Sequence, residues 1–297
     1  MNTSLERRAT LACLYAGAVW GLFWIPLRAL EQVGLQGLWV TAVYFLVPTV
    51  CLFPILIWRR KQIMLGGLSF HITAITSGAA LTLYAASILY TDVIRAMMLF
   101  YMMPIWSVIL ARIFLGERII PVRIAAMALA VFGMLVLFGL GLEFPLPRNV
   151  GDWLGLAAGV FWSITMVRLR IYESHSAADL TVGFFLWGMF LSAMAALILT
   201  PSSVPTWTQT MPALPMLLLF VLLLVIPGTF ASLWGPKFLN PGVVGLLFMT
   251  ELVVGSVSAA LWAGEPFGLR EVFGVVLISS ASLLEPAKQV FFRPKAA

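Results

Sequence analysis

The sequence predicts an all-α integral membrane protein with ten transmembrane helices, arranged as two inverted five-helix repeats. Three observations predict it. Hydrophobic residues make up 62% and charged residues only 10% of the 297 residues, and the mean hydropathy is +1.02, far from a soluble composition. The apolar residues come in continuous runs near the ~20 residues a helix needs to cross the hydrocarbon, not in the period-two alternation of a transmembrane barrel. The chain also echoes itself: AGAVWGLFW from Ala16 to Trp24 returns as AGVFWSITM from Ala158 to Met166, with Trp20 answering Trp162 at an offset of 142. Leu115-Gly116-Glu117 likewise answers Ala263-Gly264-Glu265 at an offset of 148.

In chain order, the expected spans are 10–30, 35–58, 69–90, 93–115 and 121–141 in a first repeat over residues 1–147. A second repeat over 148–297 holds 150–172, 179–200, 213–237, 241–262 and 268–290. The first span follows Arg7 and Arg8 as a signal peptide would. Its length and its share in the repeat, through Trp20 and Trp24, mark it as a retained helix. Cys13 and Cys51 both fall inside spans, so neither a disulfide framework nor a metal site is implied. The run from 69 to 115 is about 70 Å long as one helix, more than twice a bilayer core, so it must turn once. Thr91-Asp92 marks that turn, with Asp92 as the expected cap of the next helix. Asn240-Pro241, 148 residues on, marks its counterpart.

Basic residues sort by side. With a cytoplasmic amino terminus, Arg28, Arg95, Arg148 and Arg270 face out and the other fourteen of the eighteen Lys and Arg face in. This bias places both termini in the cytoplasm. It also accounts for the net charge of +6 without any nucleic-acid partner, because the cations are dispersed between spans. Five spans precede the second copy, which therefore enters the bilayer from the opposite face. Inverted repeats are a recurrent plan of secondary transporters, whose substrates bind near the midplane between the copies.

Prolines inside spans break the backbone ladder. Pro104 in the fourth span and Pro227 in the eighth are the expected hinges, and Pro26 interrupts the first. Gly17, Gly21, Gly155, Gly159, Gly245 and Gly255 are expected to let helices approach closely. Glu117 and Glu265, at helix ends beside glycine, are expected to fasten loops.

Titratable groups within the spans are scarce. Glu251 stands near the middle of the ninth, where a carboxyl is costly. Three roles stay open for it: proton coupling, anchoring a substrate ammonium, or bonding to a neighbouring helix. In the fourth span, Met98, Tyr101 and Ile105 share a face at helical spacing, with Phe100 and Met103 expected to point elsewhere. Met and aromatic side chains suit an adaptable apolar pocket, which Tyr84, Trp20, Trp24 and Trp162 would complete. No nucleotide-binding loop, metalloprotease pair or nucleophile with a base occurs, so neither an enzyme nor an ATP-driven pump is expected, and no cofactor is implied. Mid-helix cations are missing, which argues against phosphorylated substrates. A lipid scramblase and a channel are the rival readings. The sequence assigns no coupling ion and no oligomeric state.

These residues carry a resemblance. The AGxxW opening of each half, the proline-containing fourth helix ending in Leu115-Gly116-Glu117, and the matching Ala263-Gly264-Glu265 resemble the drug/metabolite transporter superfamily with its duplicated EamA-type domain. Within it, Tyr101-Met102-Met103-Pro104 and Trp162 look like the YddG-type aromatic amino acid exporters. The resemblance implies a bacterial inner-membrane exporter of aromatic and other bulky neutral amino acids, working by alternating access. It also implies a cavity role for Tyr101 and Trp162.

Overall fold

The computed structural model describes residues 3–139, 146–264 and 267–291. Among them, eight helical segments are long and apolar enough to cross a bilayer. These are α1 (Ser4–Gln32), α2 (Leu38–Trp58), α3 (Gly67–Ile88), α4 (Val93–Leu115), α6 (Val150–Ile171), α7 (Ala177–Leu199), α8 (Trp207–Lys237) and α9 (Pro241–Ala263). The shorter apolar helix α5 (Pro121–Leu137) and the helix α10 (Leu269–Phe291) follow, and a short helix at Arg60–Leu65 stands between α2 and α3. No strand occurs among them. Glu265 lies outside the described residues.

Several of the long segments are broken. α1 is interrupted after Gly21, where Leu22 and Phe23 turn before helix resumes at Trp24. α4 breaks at Tyr101-Met102, and helix restarts at Met103 with Pro104 in its first turn. α9 breaks 148 residues later, at Met249, although no proline stands there. In α8, Pro227 follows a π-helical turn at Val221–Val225, the kind of local rewinding that accommodates a missing N–H. Both α4 and α9 end on a left-handed glycine, Gly116 at φ 67° and Gly264 at φ 71°, a conformation that disfavours any residue with a Cβ.

Asn240 caps α9 by accepting from the Gly242 amide at 2.9 Å. Asp92 does not repeat this: its backbone has cap geometry but its carboxylate accepts no bond from the helix. The residue is exposed, so water can satisfy the amides it leaves open. The expectation of paired side-chain caps is corrected to one.

Each helix of three pairs lies antiparallel to the helix five positions away. In α2 and α7, Trp39 donates to the Thr200 carbonyl at 2.9 Å at one end, Gly188 meets the Phe45 ring in the middle, and Arg59 pairs with Asp179 at the other end. In α4 and α9, Pro104 abuts Gly245 and Val108 abuts Gly242. In α5 and α10, Gly133 meets Ile278 and Gly274 meets Leu137.

α3 is packed against α6 and α7, with Thr165 donating to Thr76 at 2.9 Å. Lipid tails are as apolar as leucine, so burial alone does not hold such helices together; close backbone approach and interhelical hydrogen bonds do.

Candidate functional site

The repeat offsets place the site. Pro104 has no N–H to give the Phe100 carbonyl, and Gly159 of α6 sits against that oxygen so closely that a Cβ there would lie 2.6 Å from it. One offset earlier, Gly17 of α1 sits against the Phe248 carbonyl of α9. Gly21 then meets the Glu251 backbone, as Ser163, its counterpart at 142, donates to the Met103 carbonyl at 3.0 Å. Thus α1 grips the break in α9 as α6 grips the break in α4.

Between these two grips lies a narrow, mostly apolar cavity of about 40 Å³. Three pairs related by the same offsets line it: Trp20 with Trp162, Phe100 with Phe248, and Met103 with Glu251. Phe23, Ala80, Leu81, Tyr84 and Phe184 complete the wall. Rings dominate: Trp162 stands 6.1 Å from Phe248, Tyr84 is 5.0 Å from Phe100, and Trp20 is 6.1 Å from Phe184.

Of the residues the sequence singled out, Trp20, Tyr84, Trp162 and Glu251 are brought together here. Tyr101 is buried behind the wall, edge-on to Phe100 at 5.2 Å.

Two expectations are corrected. Met98 is fully buried in the helix core and does not reach the cavity, whereas Phe100 and Met103, expected to point elsewhere, line it. The break at Tyr101-Met102 resets the helical phase, so a face drawn at constant spacing across it is wrong. Trp24 also lies away from the cavity. Its indole donates to Ser258 at 3.0 Å, and its ring borders a second recess of about 420 Å³ with Arg28, Gln32, Met216 and Trp262. Pro104 and Pro227 both stand just past irregular backbone.

The residues missed were Phe23, Ala80, Leu81 and Phe184, together with the pairs Phe100/Phe248 and Met103. For the pairs a signal existed: moving Glu251 back by 148 lands on Met103.

The two ends of the molecule differ. At one, Arg168 of α6 ties down the start of α3, donating to Thr73 at 3.0 Å and to the Ser69 carbonyl at 2.7 Å. The neighbouring loop is held as well, with Lys237 bonded to the Glu173 and His175 carbonyls. At the repeat-related end, where α1 meets α8 and α9, the recess beside Trp24 stands open instead.

No group of side chains among the described residues could hold a metal ion, and both cysteines are free.

A model of the EamA-like transporter family matches residues 7–139 and again residues 149–284. The chain is 27% identical over 292 residues to an Escherichia coli (strain K12) protein described as "Probable amino-acid metabolite efflux pump", covering 92% of this chain and 93% of that protein. A solved crystal structure superposes with a TM-score of 0.75 at 16% identity, covering 95% of this chain and 98% of its own, a likeness of fold.

Proposed function

We propose a substrate and a mechanism for this chain, which belongs to the EamA-like transporter family and is a multi-pass membrane transporter, not an enzyme. It exports aromatic and other bulky neutral amino acids by alternating access, through the cavity between residues 1–147 and 148–297. The observation that carries this reading is the ring of offset-related pairs, Trp20/Trp162, Phe100/Phe248 and Met103/Glu251, around one hollow. Aromatic walls offer a planar solute offset and edge-on ring contacts. The E. coli relative's description as an amino-acid metabolite efflux pump agrees.

Inversion of the repeats is supported by the antiparallel packing of α2, α4 and α5 on their own counterparts α7, α9 and α10. Parallel repeats would lay counterparts side by side in like direction. The clamp of Arg168 at one end and the open recess at the other support alternating access, which requires two unequal faces of such repeats. Irregular backbone at Pro104 and Pro227 serves as the hinge. The excess of Lys and Arg on one side supports a bacterial inner-membrane topology with both termini in the cytoplasm.

Counterflow of labelled tryptophan or phenylalanine in proteoliposomes tests the reading. Saturable exchange is expected, and Trp162→Ala or Tyr101→Ala, with folding verified, should impair it. Flux that never saturates would indicate a channel, and lipid movement without amino acid exchange a scramblase. Unchanged exchange in both variants would remove those residues from the site.

A further inference from the structure

The rings around the cavity match across the repeat offsets, but the polar groups do not. Glu251 stands opposite a thioether, so the wall carries one carboxyl and no lysine, arginine or histidine. The other polar groups of the wall are the Tyr84 hydroxyl and the indole nitrogens of Trp20 and Trp162, and of these the Trp20 Nε1 is buried and has no hydrogen-bond partner. A buried donor left unmade is a standing cost that a ligand acceptor relieves. An indole nitrogen only donates, and an ionised carboxyl only accepts.

We propose that these two groups read opposite ends of the substrate backbone: Glu251 accepts from the ammonium, and the Trp20 indole N–H donates to the carboxylate. The side chain then lies among Trp162, Phe184 and Phe248. This rests on the amino-acid reading above and adds to it which residue recognises which group. It explains how an otherwise apolar cavity without a cation accommodates a zwitterion. The ammonium meets a fixed acceptor and the surrounding ring faces, and the carboxylate meets a donor that has no other bond. A solute lacking either group leaves one of the two buried partners unmet, which is how sites of this kind discriminate.

The test uses the purified full-length chain in proteoliposomes, with L-tryptophan, tryptamine (no carboxylate) and indole-3-propionate (no ammonium) competing for labelled tryptophan exchange. In the unmodified protein, removing either group is expected to weaken competition on the order of tenfold or more. Trp20→Phe keeps the ring and removes the N–H. It should raise the KM for tryptophan about tenfold and lower its advantage over tryptamine. Glu251→Gln should weaken both ammonium-bearing solutes and erase the disadvantage of indole-3-propionate.

Equal competition by all three solutes in the unmodified protein would overturn the proposal without any variant. So would an equal shift of tryptophan and tryptamine in Trp20→Phe. Absence of any amino acid exchange in the unmodified protein would overturn the amino-acid reading itself, and this proposal with it.

Discussion

Adding one methyl group at Gly159 should loosen the grip of α6 on the break in α4. An alanine Cβ there would lie 2.6 Å from the Phe100 carbonyl oxygen, 3.3 Å from its carbon and 3.4 Å from the Leu99 oxygen. The first contact is roughly 0.8 Å inside a comfortable separation, and the obstacle is backbone, which cannot rotate away. Overpacking of this kind costs about 1–3 kcal/mol. Replacing glycine by alanine inside a helix returns up to about 1 kcal/mol, so the net loss is about 1 kcal/mol, a Tm lower by about 2–4 °C.

Backing α6 away also stretches the Ser163 bond to the Met103 carbonyl, 3.0 Å long, and separates Met103 from Trp162 across the cavity. The KM for the substrate should therefore rise as well. The counterpart change, Gly17→Ala, first meets the end of the Thr250 side chain, while backbone oxygens stand at 3.2 and 3.3 Å. Thr250 can turn aside, so Gly17→Ala should cost less than Gly159→Ala. Thermal unfolding in detergent, followed with a thiol-reactive dye that reports exposure of buried Cys13, measures both. A Gly159→Ala protein as stable as the parent, or more so, would refute the close approach.

Two further outcomes follow from the edges of the bundle. Asp152 is fully buried and accepts from Thr91 at 2.6 Å, from Arg95 at 2.5 Å and from the Arg148 amide at 2.9 Å. Asp152→Asn should lower stability by about 2 kcal/mol, read from the same unfolding curves, because it strands the arginine and replaces an acceptor by a donor. His175, in the turn between α6 and α7, has its pKa lowered by burial, with Lys237 and Arg168 adding to the effect. The unfolded chain therefore takes up this proton first, so stability falls as pH drops below about 6.5 toward the lower folded value. Tm measured from pH 8 to 5 should fall less steeply for His175→Gln than for the parent, and identical slopes would contradict the assignment.

Eight apolar spans and the duplication were legible because bilayer crossing imposes long apolar runs and because the copies share tryptophans at a constant offset. Trp20, Tyr84, Trp162 and Glu251 could be picked out by rarity or position. Met98 was misread for a physical reason. Helical spacing carries a face forward only while the helix is unbroken, and nothing in Tyr101-Met102 announces that the phase shifts there. The equivalent break at Met249 lacks even a proline. Phe184 belongs to α7, which is apolar on every side, so no periodicity distinguishes its cavity face from its lipid face. The open recess beside Trp24 depends on how far α1 stands from α8, a distance set by packing and not by any residue type.

The central claim is that two like halves lie in opposite orientations around a shared hollow. Gln32 and Ser174 test it most directly, being exposed and related by the offset of 142. Each is replaced by a single cysteine in a background where Cys13 and Cys51 are serine, then probed with a membrane-impermeant thiol reagent in intact cells and in inverted vesicles. Inversion predicts labelling at 32 only from outside the cell and at 174 only from the cytoplasmic face. Labelling of both from the same side would contradict the account.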